Sequence, residues 1–371
     1  MSVTKGLEGI VAASSSISSI IDGVLTYRGY DIDQLAEKAN FEEVAYLLWF
    51  GKLPNKVELA GLHKQLSEYS PIPDQVIGLL RETPKEANSM AVLRTAVSAL
   101  ALYDTEASDM SEAANVRKAI QLQAKLPTII AAFARIRDGK EPIAPKANVS
   151  IAHNFLYMLT GNEPTAIAVE AMNKALVLHA DHELNASTFA ARVTVATLSD
   201  MYSGITSAIG ALKGPLHGGA NEAVMAMLED IGSESNVVPY VQDKLDNKEK
   251  IMGFGHRVYK NGDPRAKHLQ NMSKELGKIT GNMTWYNMSI KIEEMVTGLK
   301  GLKPNVDFYS ASVYTSLEIP RDLFTPIFAI SRLSGWSAHI LEQYADNRLI
   351  RPRAEYVGPT NQHYVPIGER V

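Results

Sequence analysis

The chain contains no cysteine. Disulfides, cysteine-ligated zinc, iron–sulfur clusters and thiol catalysis are therefore excluded. An excess of positive charge is missing too. The 37 Lys and Arg face 41 Asp and Glu, a net charge of −4 over 371 residues. Nucleic acid is disfavoured as the main partner, because phosphate binding is driven by excess positive charge. A small anionic substrate needs only a few well-placed arginines, so it is not excluded. Long apolar runs are absent: the stretch Ala147 to Asn162, free of Asp, Glu, Lys and Arg, is partly polar and too short to span a bilayer. The first residues lack the apolar centre of a signal peptide. These absences lead to the expectation of a cytoplasmic protein with neither membrane nor nucleic acid as partner.

The length suggests roughly two domains at about 150 residues each, and most of the sequence reads as helix. Asn55 with Glu58 forms a capping-box pattern before Leu59, Leu62 and Leu66. Ser111 is placed to cap a helix from Ala113 to Ala124, and Pro127 to start another through Ile136. Thr165 precedes a helix over Ala166 to Leu178; Ala186 to Leu198 and Tyr202 to Leu212 follow as buried helices. A last helix spans Phe324 to Tyr344, and Pro352, Pro359 and Pro366 make the remainder an extended arm. The one strand signal is Ser18 to Ile21 and Val24 to Tyr27 around the turn pair Asp22-Gly23. The expected fold is all-α and multi-helical, with a minor N-terminal β-hairpin. Its Gly-rich and Lys/Glu-rich middle reads as a smaller helical domain, residues 216–321, set between the two parts of a large one, 1–215 and 322–371.

Three histidines sit in unusual surroundings. His182 lies in His179-Ala180-Asp181-His182-Glu183, His217 in Gly214-Pro215-Leu216-His217-Gly218, and His256 in Gly253-Phe254-Gly255-His256-Arg257-Val258. A lone histidine is more often structural. Flanking glycines favour function, because they let backbone approach a ligand. His179 and His182 do not match the zinc-protease patterns. Gly253-Phe254-Gly255 lacks the third glycine and the βαβ context of a dinucleotide fingerprint. Asp307, between Val306 and two aromatics, has two readings: a carboxylate raised in pKa by desolvation and acting as general base, or, with Asn305, the N-cap of a helix through Val313. Arg265, Arg332 and Arg351 are each ordinary surface residues alone, but together suit a small polycarboxylate.

At these residues the sequence resembles citrate synthase. The resemblance rests on Gly214-Pro215-Leu216-His217-Gly218, on Gly253 through Val258 continuing to Asp263-Pro264-Arg265, and on Asn305-Val306-Asp307-Phe308-Tyr309. It extends from Gly6-Leu7-Glu8-Gly9-Ile10 to Arg351-Pro352-Arg353, essentially the whole chain. It implies condensation of acetyl-CoA with oxaloacetate followed by hydrolysis of citryl-CoA, with no resident cofactor and no metal. By the same resemblance, His217 donates a hydrogen bond to the thioester oxygen, Asp307 removes the methyl proton, and His256 protonates the oxaloacetate carbonyl. His182, Arg265, Arg332 and Arg351 bind oxaloacetate, with Arg351 supplied across a homodimer. Ile251, Gly253, Lys260 and Asn305 meet coenzyme A. Larger relatives carry an extra N-terminal domain and bind NADH as hexamers; this shorter chain is expected to be a homodimer without that control. Propionyl-CoA in place of acetyl-CoA, giving 2-methylcitrate, is the nearest alternative. A noncatalytic helical binding protein is the alternative of another class.

Overall fold

The computed structural model of the chain describes residues 5–7, 9–256, 258–259 and 262–370. The polypeptide opens with strands β1 (Ser18–Ile21), β2 (Val24–Tyr27) and β3 (Tyr30–Asp31), paired antiparallel in that order. Ser18 stands opposite Tyr27 and Ile21 opposite Val24. Asp22 and Gly23 both have positive φ, 53° and 82°, the twist that a two-residue hairpin requires.

Sixteen α-helices follow among the described residues. The first ten are α1 (Ile32–Lys38), α2 (Phe41–Phe50), α3 (Lys56–Tyr69), α4 (Asp74–Glu82), α5 (Ser89–Leu100), α6 (Glu112–Arg137), α7 (Ile151–Thr160), α8 (Ala166–His179), α9 (Ala186–Val195) and α10 (Met201–Leu212). Then come α11 (Ala220–Ile231), α12 (Val237–Asp246), α13 (Ala266–Thr280), α14 (Thr284–Lys300), α15 (Val306–Ser316) and α16 (Phe324–Ala345). The expected caps are in place. Asn55 and Glu58 form a reciprocal capping box on α3, Ser111 caps α6, and Thr165 caps α8. The break expected at Pro127 does not occur, and α6 runs through it as one helix. Proline removes one N–H but leaves the helix able to continue. Here Pro127 sits where the helix is buried on all sides, so tertiary packing overrides its local preference. The helix expected to reach Leu198 ends at Val195, with Leu198 in the left-handed region at φ 64°.

The core centres on α16, which is buried around its whole circumference from Phe324 to Ile340 and packs against α2, α6, α8, α9 and α10. A helix apolar on every face belongs inside a protein. Helices α11 to α15 pack on one another. They meet the rest where α13 and α15 touch α8 and where α11 touches α16. Asp33, in the first turn of α1, accepts from Lys267 Nζ at 2.5 Å and from His268 Nε2 at 2.7 Å, joining α1 to the start of α13. After α16 the chain runs out as an exposed arm without regular structure, save a short turn at Ile367–Glu369. No described helix is long and apolar enough to cross a membrane.

Candidate active site

His217 lies in the tight turn between α10 and α11. Its N–H donates to Gly214 O at 2.9 Å, and Gly218 N–H donates to Leu212 O at 3.0 Å. A Cβ on Gly218 would stand 2.4 Å from that same carbonyl, so only glycine closes the turn. The imidazole Nε2 faces Ser187, at the start of α9: it accepts from the Ser187 backbone N–H at 3.3 Å and lies 2.7 Å from Ser187 Oγ. An Nε2 that accepts leaves the ring proton on Nδ1. Burial, helped by the field of Arg332, lowers the His217 pKa to about 4, so the ring is neutral at pH 7.

His256 carries the opposite tautomer. Its Nδ1 accepts from Val258 N–H at 3.0 Å and from Tyr259 N–H at 3.3 Å, which leaves the proton on Nε2. Burial, then Arg265, lowers its pKa. The loop that presents it is pinned to the segment before α15. Gly255 N–H donates to Lys303 O at 3.0 Å, Asn305 N–H to Gly253 O at 2.9 Å, and Asn305 Nδ2 to Gly255 O at 3.1 Å. Gly253 has φ 81°, and a Cβ there would lie 2.8 Å from both Phe308 and Val224.

His182 leaves the helical register just after α8. Its ring stands 5.2 Å from that of His256, and its Nε2 lies 3.1 Å from Tyr259 Oη. Burial, with Arg265 and Arg332 beside it, holds its pKa well below the ordinary value. The hairpin fixes this loop. Ser18 Oγ donates to Asp181 Oδ2 at 2.5 Å, Glu183 N–H to Ser18 Oγ at 2.9 Å, and Tyr27 Oη to Asp181 O at 3.0 Å. His179 does not join the site. Its Nδ1 donates to Ala175 O at 2.7 Å, and burial takes its pKa to about 3. Among the described residues no group of three or more His, Asp or Glu is arranged to hold a metal ion.

Two buried arginines flank these rings. Asp263 receives Arg265 Nε at 2.9 Å and Nη2 at 2.8 Å. Burial alone would lower the Arg265 pKa, but Asp263 outweighs it and raises it above the ordinary value. Arg332, on α16, is only 2% exposed. Its Nε donates to His179 O at 2.7 Å and its guanidinium lies 4.7 Å from the Phe328 ring centre. No described carboxylate lies within ion-pairing distance of it, and burial lowers its pKa to about 10.

Asn305, not Asp307, is the side chain that caps α15, accepting from Asp307 N–H at 3.1 Å. The Asp307 carboxylate is thereby spared. Its Oδ1 is buried with no hydrogen-bond partner, and burial raises its pKa to about 6. An unpaired carboxylate in a dry place is a base without competing donors.

His182, His217, His256, Arg265, Arg332 and Asp307 thus share one locality, each within the electrostatic reach of Arg265 or Arg332. Arg351 does not join them within the chain, since it lies on the exposed arm. Ile251 and Gly253 are buried at the base of the His256 loop, and both side-chain functions of Asn305 are engaged by protein. Lys260 lies outside the described residues. Sequence reading missed the supports: Ser187, Trp336 and the grip of Asp263. Asp263 lies two residues from Arg265 and was open to view as a local ion-pair pattern. Ser187 and Trp336 come from 30 residues before and 119 residues after His217 and left no local signal.

The family model "Citrate synthase, C-terminal domain" matches residues 6–353. The chain belongs to the citrate synthase family. It is 64% identical to citrate synthase 2 of Bacillus subtilis, over the full length of both. It is 51% identical to citrate synthase of Haloferax volcanii, over 99% of this chain and 98% of that one. The solved ternary complex of carboxymethyl coenzyme A and oxaloacetate with citrate synthase from Thermoplasma acidophilum covers 100% of both chains at 38% identity, with a TM-score of 0.94. A 2-methylcitrate synthase of Corynebacterium glutamicum is more distant, at 43% identity over 99% of this chain and 98% of that one.

Proposed function

We propose that the chain condenses acetyl-CoA with oxaloacetate and hydrolyses the resulting citryl-CoA to citrate and CoA. One observation carries the reading: two neutral imidazoles with opposite tautomers, His217 protonated on Nδ1 and His256 on Nε2, share a site with the unpaired Asp307 carboxylate. A thioester methyl is only weakly acidic, so proton removal and oxygen-side stabilisation must act together. Asp307 takes the methyl proton while the His217 Nδ1–H hydrogen-bonds the thioester oxygen. The enolate carbon attacks the ketone carbon of oxaloacetate, and His256 Nε2–H gives its proton to that ketone oxygen. Water then cleaves the thioester. Neutral donors suit this role, because each meets charge only as it develops in the transition state. Arg265, Arg332 and His182 hold the oxaloacetate carboxylates and oxygens. Coenzyme A runs along the backbone at Ile251 and Gly253, near Asn305, and Lys260 is the residue type to pair with one of its phosphates.

The reading brings its assembly with it. Residues 216–321 form a small domain that closes on 1–215 and 322–371 and excludes water. Arg351 completes the site of a second copy, making a cytoplasmic homodimer. The arm that carries it exposes Tyr356, Val357, Tyr364 and Ile367, apolar groups that a second copy would cover. The chemistry calls only on acid–base groups of the chain.

The test is CoA release from acetyl-CoA or propionyl-CoA with oxaloacetate, followed with a thiol reagent; the cysteine-free protein adds no background. Preference for acetyl-CoA is expected. Preference for propionyl-CoA would give 2-methylcitrate with the same residues. No release from folded protein with either would indicate a noncatalytic binding role.

A further inference from the structure

We propose that Ser18, on the N-terminal hairpin, is a positioning residue for oxaloacetate: its one hydroxyl ties down both the residue before His182 and the residue after it, and so sets where that imidazole stands. The inference rests on reading His182 as a group that holds oxaloacetate.

The serine proton has one destination. Among the described residues Ser18 Oγ has two hydrogen-bond partners, Asp181 Oδ2 at 2.5 Å and Glu183 N at 2.9 Å. An amide N–H only donates, so the hydroxyl oxygen accepts from Glu183 and its proton goes to Asp181. Asp181 is a carboxylate there. Burial alone would raise its pKa, but His339, Arg332 and Ser18 together hold it below the ordinary value. Glu183 N–H has no other acceptor among the described residues. Glu183 also sits in the left-handed region, at φ 49°, a conformation that a residue with a side chain keeps only when its surroundings demand it. Its Oε1 accepts from Ile20 N–H at 2.6 Å. Strand β1 thus holds Glu183 at both its amide and its side chain.

The hairpin register puts the hydroxyl in place. Ser18 stands opposite Tyr27, so the two side chains share one face of the sheet. Tyr27 Oη donates to Asp181 O at 3.0 Å and accepts from Asp181 N–H at 3.3 Å. A slip of one residue would turn both side chains to the other face. The two-residue turn at Asp22-Gly23 fixes the register against it. Asp181 has one further donor, His339 Nε2 at 3.2 Å, on the side of α16, and its Oδ1 has no partner. Without the serine hydroxyl the carboxylate keeps only the His339 side, and Glu183 N–H keeps no described acceptor. Residues 181 and 183 then relax away from the hairpin and carry with them the imidazole between, which stands 3.1 Å from Tyr259 Oη and with its ring 5.2 Å from that of His256.

The experiment uses full-length protein labelled with 15N in histidine, with the His182 ring signals identified by their loss in His182→Gln. Ser18→Ala should move those signals and raise the KM for oxaloacetate about five- to ten-fold, the size of one buried hydrogen bond. Its kcat and its KM for acetyl-CoA should stay within about two-fold of the wild type. Ser18→Thr keeps the hydroxyl and suits a strand, and it should restore both readouts. Ser111→Ala removes the side-chain cap of α6 and lowers stability, but it should leave the KM for oxaloacetate unchanged, which separates positioning from general destabilisation. The inference is overturned if Ser18→Ala leaves the His182 signals where they were, or leaves the KM unchanged while His182→Gln raises it. A threonine variant no better than the alanine one overturns it too. Should Ser18→Ala not fold, Tyr27→Phe tests the same face of the sheet from β2. There a raised KM with moved His182 signals supports the inference, and the absence of either overturns it. A wild-type KM for oxaloacetate in His182→Gln would instead overturn the reading of His182, a result separate from the movement of its ring.

Discussion

Asp263 grips Arg265 through both carboxylate oxygens, and its Oδ2 also accepts the Val306 N–H at 3.1 Å, one residue before Asp307. One buried carboxylate thus ties Arg265, proposed to bind oxaloacetate, to the start of the helix that carries Asp307, the proposed base. Breaking a buried ion pair from one side costs about 3–5 kcal/mol, because the remaining charge is stranded. Asp263→Asn is expected to lower stability by about that amount and to raise the KM for oxaloacetate. Denaturant unfolding and steady-state kinetics measure the two effects. Unchanged stability would mean that the pair is not what holds Arg265.

Asp307 should show itself in both rate and stability. With a pKa near 6, the acid limb of kcat/KM for the acyl-CoA should fall below about pH 6 with unit slope. Asp307→Asn should lose about 10²–10⁴-fold in kcat while oxaloacetate affinity is retained. The sign for stability is the reverse of that for a salt-bridged aspartate. The folded pKa lies above the ordinary 3.8, so the ionised form is penalised by the fold. That penalty is absent below pH 3.8 and fully present above about pH 6, worth up to about 3 kcal/mol. Asp307→Asn should therefore raise the melting temperature at pH 8 and leave it nearly unchanged at pH 4. A variant that melts lower at pH 8 would contradict the burial argument.

If Arg332 binds oxaloacetate as proposed, it sets substrate binding against stability. It is a buried cation with a lowered pKa and no ion-pair partner among the described residues, a state that an incoming dianion would relieve. Oxaloacetate should raise the melting temperature of the wild type. In Arg332→Leu that ligand-induced rise should vanish, while the ligand-free variant should melt no lower than the wild type. Differential scanning fluorimetry with and without oxaloacetate decides it.

Gly253 tests the fit of the His256 loop. Gly253→Ala places a methyl 2.8 Å from Phe308 and Val224 at a φ of 81°, adding backbone strain to a steric clash. A loss of about 2–4 kcal/mol and a drop in kcat are expected, since Phe308 adjoins Asp307. Wild-type turnover in this variant would show that the loop yields without moving the base.

Local chemistry was legible where one residue type answers one geometric demand. Asp22-Gly23 announced the hairpin, and Asn55 with Glu58 announced the start of α3. Of the glycines around His217 and His256, Gly218 and Gly253 stand where a Cβ would clash with its neighbours. Pro127 misled because its helix is stabilised by partners far along the chain, which no local pattern records. Asp307 was undecided in sequence, since Asn305 and Asp307 both look like caps. Only the backbone shows that Asn305 takes the cap and leaves the acid unpaired. The Ser187–Trp336 contact joins residues 149 apart, so its geometry becomes visible only in the fold.

Helix α16 threads the centre of the core, while the His256 loop hangs on a few backbone hydrogen bonds. Amides of α16 around Arg332 and Trp336 should exchange with solvent only through global opening, and those around Gly253 to His256 through cheaper local opening. Under heat or mild denaturant the two halves of the site should therefore fail in sequence. A population should persist that still captures the dicarboxylate but has lost the means to polarise it, reversibly silent instead of unfolded.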